Sequence, residues 1–195
     1  LNQALRYRPY WKNGGGITVS GGEPLLQIDF MLEFFKKAKE KGIHTTIDTA
    51  GGPFTREEPF FSKFNELMEY TDLLLVDIKE INNERHIALT GRSNENILDM
   101  AKYLSEINKP IWIRHVLVPE RSDYDEDLIE LDRFISTLSN VYRVEILPYH
   151  TLGVFKWEEL KIPYQLEGIK PPTKERVDNA NRLLHVDRYT RYLDN

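Results

Sequence analysis

The sequence contains no cysteine. These 195 residues therefore supply no disulfide, no thiolate zinc site and no thiolate for an iron–sulfur cluster. Long apolar runs are missing as well. Nothing approaches the roughly 18 to 20 residues of a membrane span, and no secretory signal pattern opens the chain. Neither sign of charge dominates: 26 Lys and Arg face 31 Asp and Glu, a net charge of -5. That balance argues against a general nucleic-acid surface, a local basic patch aside, and with the missing thiols it favours the cytoplasm. The missing apolar runs argue against a membrane partner. The HExxH metal pattern, the Gly-Lys-Ser/Thr of a phosphate loop and the GxGxxG dinucleotide fingerprint are also absent. The residues present, 41% hydrophobic and 11% aromatic, suffice for a globular core.

Five short apolar runs recur at 16–20, 43–49, 72–79, 111–119 and 143–149. Most lack clean alternation, which predicts strands covered on both faces. Helical spacing fills the gaps. Met31, Leu32, Phe35 and Ala38 mark one helix, with Gly42 as its C′ residue. Ile97, Met100, Ala101, Leu104 and Ile107 mark a second. Ser122 with Asp125 is expected to open a third, carrying Leu128, Leu131, Ile135 and Leu138, and Thr173 to cap a last one with Val177, Ala180 and Leu184. Strands and helices in alternation predict an α/β fold built on a parallel sheet, one domain over residues 1–195. The mixed charge run at 36–41 reads as the solvated face of its helix. Trp112, Trp157 and the Phe-rich helix read as core or packing residues.

In such folds ligands collect at the carboxyl ends of the strands. Those ends read Ser20-Gly21-Gly22-Glu23, Asp48-Thr49, Asp77-Ile78-Lys79, Arg114 to Val118, and Leu147-Pro148-Tyr149-His150. Carboxylates, a lysine, an arginine and a histidine thus share one rim. Glu23 stands where a phosphate loop would carry a basic residue. A tight strand-to-helix turn explains the glycines but not that glutamate.

The stretches GGGITVSGGEPLLQ, GIHTTIDTAG, TDLLLVDIKEINNERHIALTGRSNENIL, IWIRHVLVPERSD and EILPYHTLGVFKWEEL with GIKPP occur in order over about residues 1–185. Together they resemble the glycyl-radical-activase family of radical S-adenosylmethionine (SAM) enzymes, the family of pyruvate formate-lyase-activating enzyme. The resemblance implies a partial TIM-like (β/α)6 barrel. It implies two redox partners of the active site, SAM and a [4Fe–4S] cluster. The reaction it implies is reductive cleavage of SAM to a 5′-deoxyadenosyl radical, which takes a hydrogen atom from a glycine of pyruvate formate-lyase (formate C-acetyltransferase). A flavodoxin- or ferredoxin-type protein would donate the electron. The cofactors carry that chemistry, so no catalytic acid, base or nucleophile is assigned.

By the same resemblance, the Ser20, Gly21, Gly22 and Glu23 turn receives the SAM amino group. An ammonium needs acceptors, and glycine-freed carbonyls with a carboxylate are chemically apt. Lys79 and Arg114 would meet anionic groups of the ligand, Asp77 would organise the pocket, Val116 and Leu147 would flank the adenine, and His150 would stand beside the nucleoside. Asp48, Thr49 and the Leu75 carbonyl would hold a monovalent cation, oxygen donors suiting a hard ion. On the residues alone, Asp48 could equally cap the loop after its strand, and Asp77 could make a structural salt bridge to Arg114. His86 lies in a family-like segment that would face the protein substrate; His44, His115 and His185 receive no chemistry.

One departure stands out. The family's CxxxCxxC loop and the strand before it have no counterpart here, and the chain opens at Leu1 in mid-pattern. The expectation is a barrel without its first βα unit, inactive by itself and prone to self-association through an exposed sheet edge. Two rivals remain: a cluster-less binding barrel, and a βα-barrel enzyme with Lys79 as its nucleophile.

Overall fold

The structure, a computed structural model, describes residues 1–11 and 15–193. Gly14, which opens the first of the quoted stretches, and the final Asp194 and Asn195 lie outside the described residues. A short helix α1 (Asn2–Leu5) precedes strand β1 (Gly16–Val19). Alternation then sets in: α2 (Ile28–Lys39), β2 (His44–Thr49), α3 (Phe60–Glu69) and β3 (Leu73–Asp77). Helices α4 (Asn83–Thr90) and α5 (Glu95–Glu106) lead to β4 (Ile111–Leu117). Helix α6 (Asp125–Ser136) leads to β5 (Val141–Pro148), followed by α7 (Val154–Leu160) and α8 (Lys174–Leu183).

All five strands are parallel and their order in space is β1-β2-β3-β4-β5. Each strand lies beside its sequence neighbour, the order of a barrel wall rather than of a doubly wound sheet. The expected partial barrel is thus observed. Against the expectation of strands covered on both faces, β3 and β4 alternate between a fully buried face and a half-buried one that carries Asp77 and Arg114. On β4, Ile111, Ile113, His115 and Leu117 are buried toward the helices, while Trp112, Arg114 and Val116 are half-buried on the concave face.

The helices bury the stripes expected of them. Met31, Leu32, Phe35 and Ala38 of α2 are buried, as are Ile97, Met100, Ala101 and Leu104 of α5, whereas Ile107 is exposed. Gly42 ends α2 as anticipated, at φ 64°: its N–H donates to the Lys39 carbonyl and the Ile43 N–H to that of Ala38, the paired bonds of a Schellman motif. Thr173 caps α8, its hydroxyl oxygen accepting from the Arg176 N–H. Ser122 does not open α6. The N-cap residue is Tyr124, and the buried Ser122 hydroxyl instead donates to the Val116 carbonyl at 2.7 Å and accepts from the Val118 N–H.

Two further readings change, and that of Trp112 as a packing residue holds. The 36–41 run is more than a solvated face, because Lys36 reaches Glu66 on α3 and Lys39 reaches Asp72 ahead of β3. Trp157 lies on the surface against Tyr164, on a helix that buries no residue. Trp112 packs on the concave face against Tyr192, with the Arg143 guanidinium 4.9 Å from its ring. Tyr192 belongs to the segment after α8, which packs against β5. Among the described residues, β1 pairs on one side only.

Candidate functional site

The site forms where β1 to β4 end. Gly21 and Gly22 both take positive φ, 95° and 55°, a conformation that side chains disfavour and that turns the chain sharply off β1. Glu23 follows. Its Oε1 accepts from the Leu25 N–H at 3.1 Å and from the Thr49 hydroxyl at 2.6 Å, and its Oε2 accepts from the Ala50 N–H at 3.0 Å. Glu23 therefore caps the short 3₁₀ turn Pro24–Gln27 and fastens it to the end of β2. The glutamate that a bare turn left unexplained has a positioning task in the fold itself.

Parallel register supplies the charged rim. Asp77 lies opposite Arg114, and Arg114 opposite Glu145. The Arg114 guanidinium bridges two strands, with Nη2 on Asp48 Oδ1 and Nε 3.0 Å from Asp77 Oδ1. Lys79 Nζ donates to the other Asp77 oxygen at 2.8 Å. Two carboxylates and two cations thus alternate along the rim as Asp48, Arg114, Asp77, Lys79. Burial pushes the Asp48 carboxyl above its ordinary value; Asp77 adds to this and Arg114 opposes it. A structural salt bridge between Asp77 and Arg114 is present, and it belongs to the rim rather than competing with it.

These groups line a cavity of about 280 Å³ together with Ser20, Gly21, Gly22 and Thr49. Alone it falls just under the range of small-molecule sites, about 300 to 1,000 Å³. A second cavity of about 360 Å³ shares Ala50 and Lys79 with it and extends toward His86, Arg92 and Asn96. His86 is buried, and burial lowers its pKa. Its Nδ1 lies 2.7 Å from the Arg92 carbonyl oxygen and so carries the proton, while Nε2 has no partner among the described residues.

The other expected positions are placed as follows. Val116 and Leu147 sit side by side in the β4–β5 register, both half-buried, as two walls of one apolar patch would be. His150 is exposed just past β5 and does not line the charged cavity. Thr49 is buried with its hydroxyl committed to Glu23, and Leu75 lies opposite Asp48 in the β2–β3 register.

A model of the radical SAM superfamily matches residues 1–135. The chain is 57% identical over 192 residues to the pyruvate formate-lyase-activating enzyme of Streptococcus mutans, which covers 98% of this chain and 73% of that one. The enzyme of the same name from Listeria monocytogenes is 54% identical over 190 residues, covering 97% and 77%. The chain belongs to the pyruvate formate-lyase-activating enzyme family of radical SAM proteins. A solved domain of the family from Bacteroides vulgatus matches with a TM-score of 0.72 at 24% identity, over 91% of this chain and 97% of that one. At that identity the likeness carries the fold alone.

Members of this family are oxidoreductases, and membership implies SAM and a [4Fe–4S] cluster. The rim fits the first. An amino-acid moiety bears an ammonium and a carboxylate, and the rim offers both carboxylates and cations beneath a glycine turn. The cluster does not fit these residues: the sequence holds no thiolate, and among the described residues no group of three His, Asp or Glu could hold a metal ion.

Proposed function

We propose that this chain supplies the SAM pocket of a glycyl-radical activase acting on pyruvate formate-lyase. The observation that carries the reading is the Asp48–Arg114–Asp77–Lys79 rim under the Gly21-Gly22 turn, in a chain 57% identical to a pyruvate formate-lyase-activating enzyme. Backbone carbonyls of Ser20 to Gly22 face the SAM ammonium, with Asp48 and Asp77 beside them. Lys79, on the open side of the rim, takes the SAM carboxylate, and Arg114 holds both aspartates in place for it. Val116 and Leu147 flank the adenine, with His150 beyond them. Glu23 acts through Thr49 and Ala50, fixing the turn against β2. Bound SAM supplies the hydrogen-abstracting fragment of the family reaction; these residues bind it, orient it and hold its charged end out of water.

The neighbouring cavity receives the substrate's glycine segment. The unpartnered His86 Nε2 supports this, since a buried acceptor needs an N–H or O–H donor. A monovalent cation at Asp48, Thr49 and the Leu75 carbonyl would share Asp48 with Arg114. SAM affinity should then rise with potassium, and an affinity independent of salt identity would remove the ion from the reading. Without a thiolate, residues 1–195 by themselves yield no 5′-deoxyadenosine in an anaerobic assay with SAM and a strong reductant. Product from this chain would overturn that claim.

Equilibrium dialysis with labelled SAM tests the pocket directly. Lys79→Met removes a charge-assisted contact and should weaken binding about tenfold or more. An unchanged affinity would sink the assignment. The nucleophile reading of Lys79 gains no support, because an ammonium paired with Asp77 is not a free amine.

A further inference from the structure

His115 is a buried imidazole that the proposed SAM pocket leaves unused. It follows Arg114 on β4 and so turns to the opposite face of the sheet, 2% exposed. Its Nδ1 lies 2.9 Å from the Ile78 carbonyl oxygen and its Nε2 2.7 Å from the Ser122 carbonyl oxygen. Carbonyls only accept. A neutral imidazole has a single N–H, so it would satisfy one carbonyl and press a lone pair against the other. An imidazolium donates to both.

The surroundings pull in two directions. Burial prevails and holds His115 below its ordinary value, with Lys79 working the same way; the two carbonyls and Asp77 oppose it by favouring the charged ring. Glu80, further along the same segment, accepts from the Asn82 N–H and lies in the field of Asp127 and Arg85. Asp123, beside Ser122, is taken by Arg176.

What the ring holds bears on the rim. Ile78 stands between Asp77 and Lys79, and its N–H already donates to the Arg114 carbonyl at 3.0 Å. His115 grips the carbonyl of the same residue, so the backbone carrying both side chains is fixed on two sides. On the other flank, Ser122 closes the turn after β4 through its bonds to Val116 and Val118.

We propose that His115 takes up a second proton at the acid end of the histidine range and, as an imidazolium, clasps the Ile78 and Ser122 carbonyls, and that it is a positioning residue for the Asp77–Lys79 end of the pocket. Only the second half rests on the SAM reading.

Ring ¹⁵N NMR of the wild-type chain tests the clasp between about pH 5 and pH 8, where histidines titrate. Both His115 nitrogens should carry protons at the lower end. The Lys79 and Asp123 amides, each next to a clasped carbonyl, should shift with the same midpoint as the ring. A neutral single tautomer throughout that range would overturn the proposal. SAM affinity measured on the same samples should weaken about fivefold as pH rises through that midpoint, the worth of one lost hydrogen bond. His115→Gln, which keeps one N–H donor at the site, should show no such step. An affinity indifferent to the midpoint, or a step that survives in His115→Gln, would overturn the positioning role. No SAM binding at any pH would instead overturn the pocket, leaving the ring spectrum to decide the clasp.

Discussion

Burial pushes the Glu80 carboxyl up to about 7, with Asp127 adding to the effect and the Asn82 N–H opposing it. Its Oε2 has no hydrogen-bond partner among the described residues. Because the folded state binds this proton more tightly than the unfolded chain does, stability is greatest below the ordinary carboxylate value of 4.5 and falls as pH rises toward 7. The full drop amounts to about 3 kcal/mol. Glu80→Gln keeps an acceptor for Asn82 and removes the charge. Urea unfolding should find it more stable than wild type by about 2 to 3 kcal/mol at about pH 8, and equal to it near pH 4. A wild-type slope retained in the variant would refute the assignment. Arg114→Met has the opposite sign at every pH above the carboxylate range, since it strands Asp48 and Asp77 together. With both aspartates partly solvated, a loss of about 2 kcal/mol is expected in thermal unfolding.

Single elements rest on local signals and on contacts between elements in different proportions. The ends of α2 and α8 were legible from Gly42 and Thr173, because a positive φ and a hydroxyl cap need only the neighbouring backbone. Thr173→Ala should cost about 1 kcal/mol by circular-dichroism melts. The Ser122 cap failed because a competing local turn took its hydroxyl, which bonds back to Val116 and Val118 instead of reaching the helix. Phe54 carried no periodic signal at all, sitting in the loop between β2 and α3. Yet it is fully buried, with Phe64, Tyr103, Phe60 and Phe61 around it at ring distances of 5.0 to 6.4 Å. It joins α3 to α5, and Phe54→Ala should cost about 3 to 5 kcal/mol of unfolding free energy.

At the scale of the whole molecule, the two sheet edges differ. The segment after α8 packs against β5, where the Arg143 guanidinium lies against the Trp112 and Tyr192 rings. On the other side β1 offers unpaired backbone among the described residues, and its first residue admits no side chain, since a Cβ on Gly16 would fall on the His44 carbonyl. We propose that this edge drives self-association. Light scattering should show mass rising with concentration, and a constant monomer mass would dismiss it. Among the described residues no helix is long and apolar enough to cross a membrane.

By itself the sequence determined the strand–helix alternation, the buried stripes of the helices and the set of ionisable residues at the strand ends. Each follows from spacing along the chain; the barrel was implied only by the family resemblance, and the strand order that shows it is a tertiary fact. Which of those residues meet was decided by the tertiary structure. Asp48 and Arg114 are 66 positions apart, Asp77 and Arg114 are 37, and Glu23 and Thr49 are 26. Only the parallel register of β1, β2, β3 and β4 sets them side by side, and only there does Glu23 become a strut, Arg114 a bridge between two aspartates and His115 a ring between two carbonyls. Register depends on how helices pack across the sheet, and no local pattern encodes it.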